Sequence, residues 1–451
     1  RSCLPYPFDH TQHHGEDADT GGEQEHIVIA LLLDHLAQCR AAQSPHQHRQ
    51  RGEQRILHRA VALGDDAREI GDEGRPGDTD SSGVTGLHTM AFALFGQLSG
   101  LVPMIGITSG YCFAGNAALL GCCDVIIATE NSNIGMAGPA MIEGGGLGKV
   151  AATDIGPIDV QTKNGVVDIR VADEAAAVAA AKKYFNYFAQ ARVTAQPGND
   201  AALRDVVPEQ RTRIYDVRQA IEAVADGGQF LELRSAFGVG IMTALLRIEG
   251  FAVGLLANNP AHLGGAIDSD AADKASRFIQ LCDAHDLPIV SLCDTPGFMV
   301  GPEAEETAQV RHFSRMFVTA GSITVPWLTV VLRKGYGLGA QAMAGGSFHA
   351  TSFTVSWPTG EFGGMGLEGA VRLGFKKELD AIADPVERKA LEDKLIASAY
   401  ERGSALNMAS HMEIDEVIDP ADTRMRIAGM LRSYPPTPQR TGKKRPMIDT
   451  W

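Results

Sequence analysis

The chain has 451 residues, 44% of them hydrophobic and 21% charged, and carries a formal net charge of -15. That length allows roughly two to four domains, and the balance suits a globular protein with a large core. The excess of acid argues against wholesale nucleic-acid binding while leaving room for a local basic pocket for an anionic ligand. The seven cysteines (Cys3, Cys39, Cys112, Cys122, Cys123, Cys282 and Cys293) are odd in number and contain no C-x-x-C pair. They argue against a disulfide framework or a structural zinc site and for a reducing, cytoplasmic setting. The apolar run IVIALLL at 27–33 stops at Asp34, well short of the roughly 18 residues of a membrane span. No basic-then-apolar signal peptide is expected, and a chain that starts at Arg1 reads as a fragment.

In chain order, residues 1–73 form an atypical polar segment. Eight of the fourteen histidines lie in the first sixty positions, among Gln, Arg and Asp with no clean period. From Gly74 the pattern becomes orderly. TMAFALFGQL (89–98) predicts a helix, PMIGIT (103–108) a buried strand, GNAALLGCC (115–123) a small-residue helix and DVIIAT (124–129) a second strand. The glycine-rich loop NIGMAGPAMIEGGG follows, then GVVDIRV (165–171) as a strand, and a helix from Asp173, which can cap it. Residues from about 190 to 215 read as a linker. Beyond Tyr215, TALLRIEGFAVGLLAN (243–258) predicts a hairpin around Glu249 and Gly250. ADKASRFIQLCDAHD predicts a helix, LPIVSLCD (287–294) a strand ending in TPGFMVG, and EETAQVRHFSRMFVTA a helix. WLTVVL is a strand that leaves through RKGYGLGAQAMAGG, read as a turn into a small-residue helix. FTVSWP, GEFGGMGLEGAV and an amphipathic helical tail over about 376–412 complete the series.

The two halves repeat one order of parts. Pro103 and Pro326 each open a series of strand, turn, small helix, strand and glycine loop, the mark of a duplicated unit. SGYCFAGNAALL sets against RKGYGLGAQAMA, DVIIAT against FTVSWP, and IGMAGPAMIEGGG against FGGMGLEGA. In each half a strand enters a helix through Gly and Ala, and helix N-termini carry unpaired N–H groups with partial positive charge. Two such groups aimed at one point suit an oxygen that gains charge in a transition state, and losing one typically costs about 3 kcal/mol in the barrier. The alternatives have weaker support. GYGLGA is not G-x-G-x-x-G, and there is no phosphate loop, no G-x-S-x-G elbow and no H-E-x-x-H. No metal site is predicted.

SGYCFAGNAALLGCCDVIIAT, ANNPAHLGGAIDSDAADKASRFIQLCDAHDLPIVSLCDTPGFMVG, RKGYGLGAQAMAGG and WPTGEFGGMGLEGAV together resemble the carboxyltransferase (beta-type) subunits of biotin-dependent acyl-CoA carboxylases, over about residues 74–435. The resemblance implies an α/β fold of two tandem crotonase-like domains built from repeated ββα units. The expected boundaries are 74–214 for an incomplete acyl-CoA-side domain, 215–435 for a biotin-side domain and 436–451 for a tail. It implies transfer of a carboxyl group from carboxybiotin to the alpha carbon of an acetyl- or propionyl-type acyl-CoA. Carried over residue by residue, it puts one donor pair at Ala114 and Gly115 for the thioester and another at Leu338 and Gly339 for the ureido oxygen of biotin. The family pattern has glycine where Leu338 stands. Pro296, Gly297, Phe298 and Gly337 would shape the biotin side, with Gly364, Met365 and Gly366 near it and Gln341 just beyond. Once decarboxylated, biotin itself would take the substrate proton, which would explain the absence of a side-chain base.

The resemblance further implies biotin carried by partner subunits, a biotin carboxylase and a biotin carboxyl carrier. It implies a homo-oligomer with its site at a dimer interface. The chain departs from the family at its start: residues 10–73 lack the expected strands, and a shifted reading frame up to about Gly74 would account for that. Two other readings stand beside a carboxylase: the carboxyltransferase of a biotin-dependent decarboxylase, and a non-catalytic subunit of a carboxylase complex.

Overall fold

Aliphatic and β-branched runs form the sheets because such side chains pack on a pleated, half-buried surface. A computed structural model describes residues 26–31, 90–189, 192–435, 440 and 442–451. The first half contains β1 (His26–Leu31), α1 (Ala91–Gly96), β2 (Met104–Ser109), β3 (Tyr111–Phe113), α2 (Ala114–Gly121), β4 (Val125–Thr129), β5 (Asn133–Gly135), α3 (Pro139–Gly144), β6 (Ile169–Val171) and α4 (Glu174–Ala189). β1, β2, β4 and β6 make a four-stranded sheet in that order, and β3 pairs in parallel with β5. Asp173 caps α4, its Oδ1 accepting from the Ala176 N–H at 2.8 Å.

The second half is larger. It contains β7 (Phe230–Leu233), β8 (Ile241–Ile248), β9 (Phe251–Asn258), α5 (Ser269–Ala284), β10 (Ile289–Thr295), α6 (Gln309–Ala320), β11 (Trp327–Tyr336), α7 (Gly337–Met343), β12 (Phe353–Ser356), β13 (Glu361–Gly363) and α8 (Leu367–Gly374). Then follow α9 (Lys376–Asp380), α10 (Pro385–Arg402), α11 (Ala405–Ser410), β14 (Glu416–Val417) and α12 (Thr423–Ser433). An eight-stranded sheet runs β14-β12-β11-β10-β9-β8-β7, with β13 on the end of β11. β8 and β9 are antiparallel, joined at Glu249 and Gly250, whose φ values of 47° and 83° are those a two-residue hairpin turn requires.

The halves share one core. Ile105, Val125 and Tyr184 pack in the same apolar cluster as Leu245, Phe278 and Ile289. Buried polar contacts cross between them. Arg234 Nε pairs with Asp168 Oδ1 at 3.1 Å, Arg277 Nη2 donates to the Asp124 carbonyl at 2.6 Å, and His285 Nε2 lies 3.2 Å from Asp124 Oδ2.

The duplication is visible in the pairing. β2 and β4 are parallel, as are β11 and β12; β3 pairs with β5 as the end of β11 pairs with β13. In the second half the equivalents of β2 and β3 fuse into the ten-residue β11. Phe113 opposes Gly135 and Tyr336 opposes Gly363, so Phe113 corresponds to Tyr336. The next residues, Ala114 and Gly337, both take left-handed backbone, with φ 52° and 59°.

Several expectations change. RKGY is not a turn but the end of β11, because Lys334, Gly335 and Tyr336 pair with Glu361, Phe362 and Gly363. The expectation that residues 10–73 lack strands fails at His26–Leu31, whose apolar run pairs antiparallel with β2; the remainder of 1–73 lies outside the described residues, as do 190–191, 436–439 and 441. The strand expected over 165–171 is confined to Ile169–Val171, and the helix expected from Glu305 becomes regular at Gln309 after left-handed Ala308. The tail helix over 376–412 is three helices. Asp384 caps α10 through the Val386 N–H, with Pro385 at its first position, where the missing N–H is harmless.

Lys274 is buried on α5, its Nζ donating to the Phe237 carbonyl at 2.9 Å. Burial lowers its pKa to about 7 from an ordinary 10.5. The unfolded chain therefore binds this proton more tightly, and stability rises with pH across that window. Substituting Lys274→Met removes the penalty. Urea titrations at pH 7 and pH 10 are expected to show the variant gaining over the parent at pH 7, with the gap narrowing at pH 10. An equal gap at both values would contradict the assignment.

Candidate active site: two uncapped turns and a buried carboxylate

The second turn is held from below by Asp294, which is fully buried at the end of β10. Arg333 Nη2 lies 3.0 Å from Asp294 Oδ2, and the Tyr215 hydroxyl donates to the same oxygen at 2.8 Å. Oδ1 accepts from the Lys334 N–H at 3.0 Å, while the Asp294 N–H donates to Asn258 Oδ1 at 3.1 Å. One residue thus joins β9, β10, β11 and the segment before β7, through its carboxylate and its own amide. Burial, with the neighbouring Asp294 charge, pushes the Tyr215 hydroxyl well above its ordinary value, so it stays a donor. Burial lowers the Lys334 ammonium, opposed by Asp294.

Next to it, Tyr336 donates through its hydroxyl to Glu361 Oε2 at 2.9 Å. Burial and then the Glu361 charge raise that phenol. Glu361 Oε1 pairs with Arg211 Nε, and the Arg211 guanidinium lies 3.7 Å above the Tyr400 ring. The Arg211 and Arg213 carbonyls accept from Arg333 Nη1 at 3.0 and 2.9 Å.

On this base sit the glycines. A Cβ on Gly339 would lie 2.7 Å from Gly297 and 3.0 Å from the Phe298 nitrogen; one on Gly337 would lie 2.9 Å from the Gly364 carbonyl. Backbone contacts that close admit only glycine. Added Cβ atoms on Gly364 and Gly366 would meet nothing within 4 Å. A cavity of about 480 Å³ adjoins the turn, lined by Gly337, Gln341, Phe348, Phe362, Gly364 and Leu367 among others. No side chain caps α2 or α7, so the amides of their first residues lack intrahelical partners.

Of the residues expected from sequence, Gly297, Phe298, Gly337, Gly339 and Gly364 come together at the second turn. Pro296, Met365 and Gly366 flank it. The Phe298 ring stacks on Phe313 at 3.9 Å, so only its backbone faces Gly339. The Leu338 side chain is 60% exposed and does not fill the turn. Ala114 and Gly115 begin α2, where a Cβ on Gly115 would meet only Phe92 within 4 Å. One register changes. The matching strand pairs make Ala114 the counterpart of Gly337 and Gly115 that of Leu338, so the sequence pairs Ala114–Gly115 and Leu338–Gly339 are one residue out of step. Sequence reasoning missed Asp294, Arg211, Tyr215 and Glu361. The D-T-P-G-F motif and the two bases before the glycines were signals for part of that set, but not for their pairing. Among the described residues no group of three or more His, Cys, Asp or Glu could hold a metal ion, and no helix is long and apolar enough to cross a membrane.

Comparison with known proteins gives this geometry its context. The model of the carboxyl transferase domain family matches residues 77–448. The methylmalonyl-CoA carboxyltransferase 12S subunit of Propionibacterium freudenreichii subsp. shermanii is 34% identical over 360 residues, covering 78% of this chain and 68% of that one. The biotin-dependent acetyl-/propionyl-coenzyme A carboxylase beta6 subunit of Mycobacterium tuberculosis is 33% identical over 369 residues, covering 79% and 76%. Among solved structures, a single-chain, multi-domain long-chain acyl-CoA carboxylase is similar with a TM-score of 0.73 and 57% identity, over 79% of this chain but only 35% of that one. The transcarboxylase 12S crystal structure, a hexamer with methylmalonyl-CoA bound, matches with a TM-score of 0.70 and 33% identity, over 78% and 69%. The paired turns on a duplicated α/β frame and these likenesses agree: the chain belongs to the carboxyl transferase domain family, that of the carboxyltransferase subunits of biotin-dependent acyl-CoA carboxylases and transcarboxylase.

Proposed function

We propose that this chain transfers a carboxyl group between carboxybiotin and the alpha carbon of an acyl-CoA through two pairs of backbone N–H donors. The observation that carries the reading is the pair of equivalent helix N-termini with no side-chain cap, each beginning on a left-handed residue. Leu338 and Gly339 are the donors for the ureido oxygen of biotin. By symmetry Gly115 and Asn116 are the donors for the thioester oxygen, and Ala114 is the left-handed hinge that corresponds to Gly337. Backbone donors fixed by their helices need no reorganisation as charge develops on the bound oxygen. The open space over Gly364 and Gly366 supports a bulky ring system against this turn. Carboxybiotin supplies the carboxyl group; the chain supplies position, donors and a sheltered surface.

The two turns belong to different halves, and a site closed between two copies of the chain fits their surroundings. Val300, Leu338 and Met365 are exposed beside the second turn, and Met136, Met141 and Leu147 beside the first glycine loop. Apolar side chains gathered on a surface mark an interaction site. The five described cysteines are free thiols, which supports a cytoplasmic setting. In this reading biotin carboxylase and the biotin carrier belong to partner subunits or to a longer chain, and the 57% identical relative is a single-chain, multi-domain carboxylase. That likeness also favours a second reading of the substrate, a long-chain acyl-CoA in place of acetyl- or propionyl-CoA.

Two measurements test the reading. Carboxyl label supplied in malonyl-CoA, methylmalonyl-CoA or a 2-carboxy long-chain acyl-CoA is expected to move to free biocytin from at least one donor, and the preferred donor decides between the substrate readings. Silence with all three, beside an active control enzyme, would leave a non-catalytic subunit as the better account. In an active protein, Gly339→Ala is expected to lower transfer by roughly 100-fold, because its Cβ would force the turn away from Gly297. Leu338→Gly is expected to stay within about threefold of the parent, since a backbone donor is kept. The reverse ranking would contradict donation by these amides.

A further inference from the structure

The segment between the halves reads as a linker in sequence, yet in the structure it grips the second turn from two sides. Its backbone is fixed first. The carbonyls of Arg211 and Arg213 accept from Arg333 Nη1, and Arg333 is buried against Asp294. From that fixed backbone the Arg211 side chain reaches Glu361 and lies flat over Tyr400. Glu361 is 8% exposed, and a carboxylate that buried requires a partner. Its other oxygen holds the hydroxyl of Tyr336, the last residue before left-handed Gly337 and the Leu338–Gly339 amides. Glu361 also starts β13, whose pairing with Lys334, Gly335 and Tyr336 carries the Gly364 carbonyl up against Gly337. Tyr400 in turn donates to Glu368, in the first turn of α8.

We propose that Arg211 and Glu361 are positioning residues for the biotin-side turn, Arg211 neutralising the Glu361 carboxylate that anchors Tyr336 beneath the donor amides. The inference rests on the reading of Leu338 and Gly339 as donors. Two physical effects follow from losing Arg211. A bare carboxylate near the turn opposes negative charge developing on an oxygen bound there. The anchor of Tyr336 also loosens, and small displacements of a donor reduce rate steeply. Neither effect acts on the first turn, whose neighbours Phe92 and Phe113 belong to the other half. Arg211 is more than half exposed while Glu361 is buried, so losing Arg211 leaves the uncompensated charge beside the turn.

The test uses the full chain and its Arg211→Met, Arg211→Lys and Arg211→Met/Glu361→Gln variants. Carboxyl transfer to free biocytin is measured with each substrate varied in turn. Arg211→Met is expected to lower kcat/KM for biocytin roughly tenfold while the KM for the acyl-CoA donor changes less than about twofold. Arg211→Lys is expected to recover part of the loss, and Glu361→Gln in the Met background part as well, because it removes the unpaired charge. Amide hydrogen exchange across the pairing of Lys334–Tyr336 with Glu361–Gly363, read in the same proteins, is expected to quicken in Arg211→Met alone. Equal losses for both substrates, or no loss, with unchanged exchange would overturn the proposal. If the parent transfers no label, the donor reading fails on its own, and the exchange rates still decide whether Arg211 holds the turn.

Discussion

A single buried carboxylate sets the geometry of the second half. Asp294 ends β10 with no solvent around it and receives Arg333, Tyr215 and the Lys334 amide, while its own amide is spent on Asn258. An ion in that position is tolerated only when fully paired, and removing one partner of such a pair typically costs about 3–5 kcal/mol. The partners come from β9, β11 and the segment before β7, so the cluster forms only when these and β10 are all in register. The glycine turn rides directly on this arrangement. Arg333 and Lys334 precede it by a few residues on β11, and the loop after Asp294 supplies Gly297 and Phe298 against Gly339.

The same frame appears twice, with different burdens. In the first half, separate strands β2 and β3 lead to Ala114; in the second, the fused β11 leads to Gly337. Left-handed backbone strains alanine by roughly 1–2 kcal/mol, yet Ala114 adopts it. Glycine is obligatory at 337 and 339 for a different reason: neighbouring backbone from the Gly364 and Gly297 loops lies too close for a Cβ. The small residues of RKGYGLGAQAMAGG therefore serve two ends. Some let three backbone segments converge, and others leave the space above the turn open. Leu338 is compatible with this because its side chain points to solvent.

Much of this was legible in the sequence, for identifiable reasons. PMIGIT, DVIIAT, LPIVSLCD and FTVSWP are strands because buried parallel sheets demand continuous apolar runs. Asp173 and the pair Glu249 and Gly250 announced a cap and a hairpin through local chemistry. The motifs of the carboxyltransferase family were readable because glycine and proline positions are forced by close backbone contacts. Other features were not legible. RKGY hides a strand end, since two charges and a glycine carry no β signal, and only the partner β13 makes it a strand. The one-residue slip between the turns arose because Ala and Gly are interchangeable by eye. Left-handed φ at Ala114 and Gly337 is what fixes the register. The Asp294 and Glu361 clusters draw on residues far apart in the chain, such as Arg211 with Glu361 and Tyr400, and nothing local marks Arg211 as different from any polar linker residue. The break at Asp384–Pro385 was available as a capping signal but lay inside a strongly helical composition.

The central claim is that two backbone amides at the second turn hold the ureido oxygen of biotin. A crystal structure of the full chain with biocytin bound tests it most directly. The account predicts that oxygen about 3 Å from the Leu338 and Gly339 nitrogens, with the ring system over Gly364 and Gly366. Biocytin bound with its ureido oxygen on any other donors, and these two amides facing solvent, would contradict it.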